Sequence, residues 1–188
     1  MAEEELKERA RALLDLCRSK RLKLGAAESC TGGLLAATLT EIPGSSDVFE
    51  RGFVTYSNEA KETMLGVPPL TLKSHGAVSR ETAEAMARGV LAHAPVDLAV
   101  SITGIAGPGG AVPGKPVGLV HLAAASRDGR LIQQERRYGD IGRAQVRRAS
   151  LFEALAMLDE LAEQSKPPTS STQRVGPHNP ENERPRAR

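Results

Sequence analysis

Residues 26–39 read AAESCTGGLLAATL, and the stretch changes character halfway. It opens small, passes through Ser29-Cys30-Thr31-Gly32-Gly33, and becomes an apolar run with helical spacing. Upstream, LKLGAAES is a short strand of weak propensity, and downstream GGLLAATLTEI is a helix stopped by Pro43-Gly44. A sharp strand-to-helix turn exposes a side chain at the sheet edge, and a helix start carries backbone N–H groups without intrahelical partners. Those groups can hold an anion or a developing oxyanion, so a serine placed there has the setting of a nucleophile. The plain alternative is an N-cap serine with glycines for packing. The stretch is not G-x-S-x-G, so the α/β-hydrolase elbow is not matched. Cys30 is the rival nucleophile, but adjacent residues at a turn point in different directions, and a small packed residue is its simpler role.

Working outward, residues 4–20 form a helix with Leu6, Ala10, Leu13, Leu14 and Cys17 on one face. RGFVTYS is a strand, and Asn58 is the expected N-cap of a helix over EAKETML. GVPPLTLKSHGAV is expected as loop, and Ser79 caps the helix RETAEAMARGVLAHA. DLAVSITG is a continuous apolar strand of the kind buried on both faces. VGLVHLAAAS and LIQQERRY form a hairpin across an Asp-Gly turn, and the last helix runs from about Arg143 to Glu163. Alternating strands and helices with one hairpin predict a three-layer α/β/α sandwich with a mixed sheet over residues 1–165. With 40% hydrophobic residues but no Trp, two Tyr and three Phe, the core must be aliphatic.

Residues 166–188 are rich in Pro, Ser and Arg and are expected to be a disordered tail. They hold five Lys/Arg and two Glu, a net of +3, so a whole-chain charge of +2 leaves −1 on the body. No basic stripe suits nucleic acid, which makes that partner unexpected. No apolar run approaches the roughly 20 residues that span a bilayer, and the N-terminus MAEEELKERA lacks a signal-type apolar stretch. A cytoplasmic protein without membrane attachment is the expectation. Cys17 and Cys30 are too few for a disulfide framework.

Three further segments carry chemistry. In TYSNEAK, Lys61 falls in the first turn of a helix, where the positive end of the dipole favours the neutral amine; a solvated surface lysine is the alternative. The Tyr-x4-Lys spacing differs from the Tyr-x3-Lys of short-chain dehydrogenases, and no Gly-rich dinucleotide fingerprint accompanies it. Gly109 to Lys115 fits G-x4-G-K, but Pro116 and a following strand replace the Ser/Thr and helix of a P-loop. What remains is Thr103-Gly104 at the end of a buried strand, where open α/β sheets bind ligands. In GDIGRAQVRR, Arg143 near a helix start suits a phosphate, with a solvated basic turn as the alternative. No Cys/His/Asp cluster has metal-ligand spacing, so neither metal nor cofactor is expected.

Taken together, AESCTGG, ERGFVTYSNEAK, HGAVS, SITGIAGPGG and KPVG resemble the CinA C-terminal-domain family, whose enzymatic members are nicotinamide-nucleotide amidohydrolases. The resemblance spans about residues 5–163. It implies hydrolysis of nicotinamide mononucleotide to nicotinic acid mononucleotide and ammonia, and a homodimer. It places the nucleophile on Ser29, the base on Lys61 and a supporting role on Tyr56. Thr31, Gly32, Gly33, Thr103, Gly104 and Arg143 fall on substrate-contacting positions. The departure is at Arg143: Ile141 and Gly142 stand between Asp140 and the arginine where the family pattern runs Gly-Asp-Arg, and Arg147 is the alternative phosphate ligand. No Asp/His pair is needed, as in Ser-Lys acyl transfer. The family is also associated with natural competence and recombination, so the alternative reading is a non-catalytic interaction module.

Overall fold

The structure, a computed structural model, describes residues 2–167. Five strands form one sheet in the order β2-β1-β3-β4-β5: β1 (Leu24–Glu28), β2 (Phe49–Val54), β3 (Leu98–Gly104), β4 (Leu119–Ser126) and β5 (Leu131–Arg137). β1 pairs parallel with β2 and β3, and β4 pairs antiparallel with β3 and β5, which makes the sheet mixed. Six helices cover it: α1 (Ala2–Ser19), α2 (Leu34–Thr40), α3 (Asn58–Leu65), α4 (Pro69–His75), α5 (Arg80–His93) and α6 (Arg143–Gln164). This is the expected three-layer sandwich.

The layers follow from strand alternation. Leu24, Ala26, Leu98, Val100 and Ile102 join the core under α1, α2 and α6. Ala27 and Ala99 point to the other face and pack with Leu65, Leu72, Met86 and Val90 from α3, α4 and α5. The α1 stripe Leu6, Ala10, Leu13, Leu14 and Cys17 is buried as its spacing predicts. Each fully buried leucine there is worth about 1.5–3 kcal/mol. β3 is buried at six of its seven residues, as a central strand between two helical layers must be.

Three local expectations are corrected. The segment 66–78 is not all loop, because Pro69–His75 is helical. Pro69 stands at the first helical position, where its fixed φ and missing N–H cost nothing, so Pro-Pro starts a helix here instead of breaking one. The cap of α3 is Ser57, whose hydroxyl accepts from Ala60 N–H at 3.0 Å, and Asn58 is the first helical residue. β2 ends at Val54, so Tyr56 lies beyond the strand. Apart from Lys166 and Pro167, the expected tail lies outside the described residues.

Candidate active site

The chain leaves β1 for β2 on one side and β3 pairs on the other, so the crevice at the carboxyl ends of β1 and β3 is a topological switch point. A cavity of about 260 Å³ opens there. Ser29, Lys61, Tyr56, Thr103, Gly104 and Arg143 all line it. A second cavity of about 230 Å³ lies at the opposite end of the sheet, and there the serine hydroxyl of Ser126 is taken up by Asp128.

Ser29 is positioned by the strand before it and the turn after it. Its N–H donates to Ile102 O at 2.9 Å, which continues the β1–β3 pairing one residue past the strand, and its own carbonyl accepts from Gly32 N–H at 3.1 Å. Gly32 and Gly33 hold φ of +58° and +92°, left-handed values that favour glycine, and α2 therefore starts at Leu34 and not at Gly32. An added Cβ at Gly32 meets nothing nearer than Arg147 Nη2 at 3.9 Å. Backbone conformation, not crowding, is what requires glycine at this position.

The sequence suggested that this helix start leaves its N–H groups free. The structure corrects that. The Glu28 carboxylate, 1% exposed, accepts from Gly33 N–H at 3.1 Å, Leu35 N–H at 3.0 Å and Ala36 N–H at 2.9 Å. The N–H groups of Cys30 and Thr31 donate to no oxygen of a described residue. Glu28 was missed at the level of sequence because a glutamate five to eight residues before its partners matches no local capping pattern.

Lys61 is 1% exposed, and its Nζ lies 3.0 Å from Ser29 Oγ. It also reaches the main-chain carbonyls of Thr55 at 2.7 Å and Tyr56 at 3.5 Å. Among the described residues it makes no ion pair with a carboxylate. Burial pushes the Lys61 ammonium below its ordinary value, with the neighbouring Cys30 sulfur opposing. A neutral amine has two hydrogens and one lone pair. In that form the two carbonyls can take the hydrogens, and the lone pair can accept from the Ser29 hydroxyl.

Tyr56 lines the cavity with Ser29 and Lys61. It is 63% exposed, so it does not enclose Lys61, and its contact with the amine is through the carbonyl. Its hydroxyl accepts from Arg143 Nη2 at 3.3 Å. Arg143 also donates to Gly107 O at 3.1 Å and spans the cavity mouth. Gly142, at φ +91°, takes up the extra length before the helix, so that α6 begins on Arg143. Arg147, one turn on, does not line the cavity, and its Nη2 donates to Thr31 O at 2.7 Å.

Thr103 is fully buried, and its hydroxyl donates to Ala77 O at 2.7 Å, which ties the loop 76–79 to the end of β3. A Cβ at Gly104 would stand 2.7 Å from Leu119 O, so this glycine permits the close approach of β4. Thr31, Gly32 and Gly33 shape the turn but do not line the cavity. Burial pushes the Cys30 thiol up to about 12, which leaves it protonated and a poor nucleophile at neutral pH. Among the described residues no three of His, Cys, Asp and Glu come together to hold a metal ion, and no helix is long and apolar enough to cross a membrane.

Comparison with known proteins shows what the chain as a whole is similar to. A CinA-like protein from Chlorobaculum tepidum is 53% identical over 115 residues, which is 61% of this chain and 27% of that protein. The crystal structure of the competence/damage inducible protein CihA from Agrobacterium tumefaciens is 53% identical, with a TM-score of 0.82 over 83% of this chain and 94% of that one. A CinA superfamily protein from Klebsiella pneumoniae is 34% identical, with a TM-score of 0.79 over 87% of this chain and 99% of that one. The chain spans well under half the length of the curated relatives it matches, 27% in one case and 37% in another, from Caldanaerobacter subterraneus. The CinA C-terminal domain profile matches residues 6–162, and the chain belongs to the CinA C-terminal domain family.

Proposed function

We propose that the chain is an amidohydrolase that converts nicotinamide mononucleotide and water to nicotinic acid mononucleotide and ammonia. The observation that carries this reading is the buried Lys61 Nζ, 3.0 Å from Ser29 Oγ and without a carboxylate partner among the described residues. Lys61 takes the hydroxyl proton as Oγ attacks the carboxamide carbon, and the oxyanion is met by the N–H group of Cys30, which lines the cavity. The Lys61 ammonium then gives its proton to the leaving nitrogen, and ammonia departs from an ester on Ser29. Water next gives a proton to Lys61 and attacks the ester carbon, and Oγ leaves with the proton returned. The product acid and the resting amine are restored together. Arg143 at the mouth is the cation for the nucleotide phosphate. Tyr56 frames the entrance and holds the amine through its carbonyl.

The reading is tested by incubating the purified chain with nicotinamide mononucleotide and measuring ammonia. Release that is lost in Ser29→Ala supports it. No release at any pH from 6 to 9 would favour the non-catalytic competence-associated module, for which the competence-damage names of the Caldanaerobacter subterraneus and Agrobacterium tumefaciens relatives are the supporting observation.

A further inference from the structure

The turn that carries Ser29 is gripped from two sides by ionic side chains outside the Ser-Lys pair. On one side the Glu28 carboxylate, buried to 1% exposure and immediately before the serine, folds past it and gathers the N–H groups of Gly33, Leu35 and Ala36 at 2.9–3.1 Å. Residues 29–32 therefore form a closed loop, pinned at its start by β1 and at its end by the side chain of the last β1 residue. On the other side Arg147 Nη2 donates to the Thr31 carbonyl at 2.7 Å, while its buried Nε has no partner among the described residues. Leaving a buried donor unpaired is costly, so the guanidinium is placed by the turn and not by solvation. An anion on the N–H groups and a cation on the carbonyl leave the turn little freedom to rotate. The turn fixes the direction of Cα–Cβ at Ser29, and with it the 3.0 Å approach of Oγ to Lys61.

We propose that Glu28 and Arg147 are positioning residues that aim the Ser29 hydroxyl at Lys61, with Glu28 the principal one. This rests on Ser29 being a nucleophile. Neither residue lines the cavity, so each acts through the turn and neither touches substrate. Loss of Glu28 therefore affects attack and not capture. Ser29 remains present but points across a wider range of directions, and small misplacements of a reacting atom cost about a hundredfold in rate. The same occupancy has a second consequence. Glu28 already holds the first N–H groups of α2, so neither an oxyanion nor a phosphate can use them.

The test uses the full chain and its Glu28→Gln variant, which keeps side-chain length but turns an N–H donor toward the N–H groups it faces. Two readouts are taken: the rate at which a fluorophosphonate labels Ser29, located by peptide mass spectrometry, and kcat and KM for nicotinamide mononucleotide. Both labelling and kcat are expected to fall by about tenfold to a hundredfold. KM is expected to stay within about threefold, with the melting transition of a folded chain. A folded Glu28→Gln chain that labels at the parent rate overturns the proposal. If Glu28→Gln does not fold, Arg147→Met decides by the same readouts, and labelling at the parent rate again overturns it. A parent that labels at Ser29 but releases no ammonia refutes the substrate reading alone, and labelling still judges Glu28. A parent that neither labels nor hydrolyses overturns both.

Discussion

Lys61 illustrates how the place of a charged side chain can suit it to the role of a base. A lysine at 1% exposure with a hydroxyl and two carbonyls around it has no carboxylate partner among the described residues to stabilise its proton, and burial lowers its pKa from the ordinary value. In the proposed mechanism the free amine is the active form, so kcat should rise with pH and level off below the ordinary lysine pKa of about 10.4. Lys61→Arg should then be as damaging as Lys61→Ala, because arginine keeps the charge but cannot give up its proton. A Lys61→Arg enzyme within about tenfold of the parent, roughly 1.4 kcal/mol of barrier, would end the case for a base. The neighbouring pair Ser29 and Cys30 separates by the same logic. Ser29→Ala should abolish ammonia release, whereas Cys30→Ala should keep most of it, since a thiol at about 12 contributes no nucleophile at neutral pH. Arg143, which lines the cavity and donates to Gly107 O and Tyr56 Oη, should respond differently from both. Arg143→Ala should raise KM for the mononucleotide much more than for nicotinamide riboside, which lacks the phosphate. Equal penalties would remove it from phosphate binding.

The elements were legible where the signal is periodic and misread where it depends on a single backbone angle. The apolar stripe of α1 and the unbroken run of β3 announce their own burial, and the structure buries them. The start of α2 was misplaced because two consecutive left-handed residues extend the turn, and spacing alone does not reveal positive φ. The role of Glu28 was illegible for a related reason: its carboxylate meets its partners only after the turn has closed. α4 hid behind Pro-Pro, and Ser57 behind Asn58, since both are good capping residues. α6 carries a stability consequence that its sequence does not announce. Burial, with Glu163 nearby, raises the Asp159 carboxyl from 3.8 to about 6. A folded pKa above the unfolded one means that the folded chain binds the proton more tightly, so this group's contribution to stability falls as pH rises from about 4 to about 6. Asp159 is only partly buried, so solvent screening holds the penalty at neutral pH to about 1 kcal/mol. Asp159→Asn should raise the melting midpoint by about 2–4 °C at pH 7 and by almost nothing at pH 4. A gain that is equal at both pH values would show that the carboxylate is not its source.

At the scale of the whole molecule, the site is a meeting of segments far apart in the chain. Ser29 comes from the end of β1, Lys61 from α3, Thr103 from the end of β3 and Arg143 from the start of α6. The parallel pairing of β1 with β3 and the cover of α3 and α5 bring them together. Each segment alone had an ordinary reading, and only their order and resemblance to a family joined them. The same map says where the chain can be cut. Every residue that lines the cavity lies between 29 and 143, and the buried core extends from Leu6 to Ala162. The end of α6 is not expendable, because Lys20 Nζ donates to the carbonyls of Ala162, Glu163 and Ser165 at 2.6–3.2 Å. These bonds satisfy acceptors that the helix terminus leaves open, and they tie it to the end of α1. Removing residues 168–188 should therefore leave the melting midpoint within about 2 °C of the parent and kcat/KM within about twofold. Removing residues 162–188 takes away the buried Ala162 and the three carbonyls that Lys20 reaches among the described residues, and should lower the midpoint by about 4 °C or more. Thermal melts of the two truncations beside the parent decide the matter. A large loss already at the first cut would mean that residues 168–188 contribute to the fold, and it would move the domain boundary past Ser165.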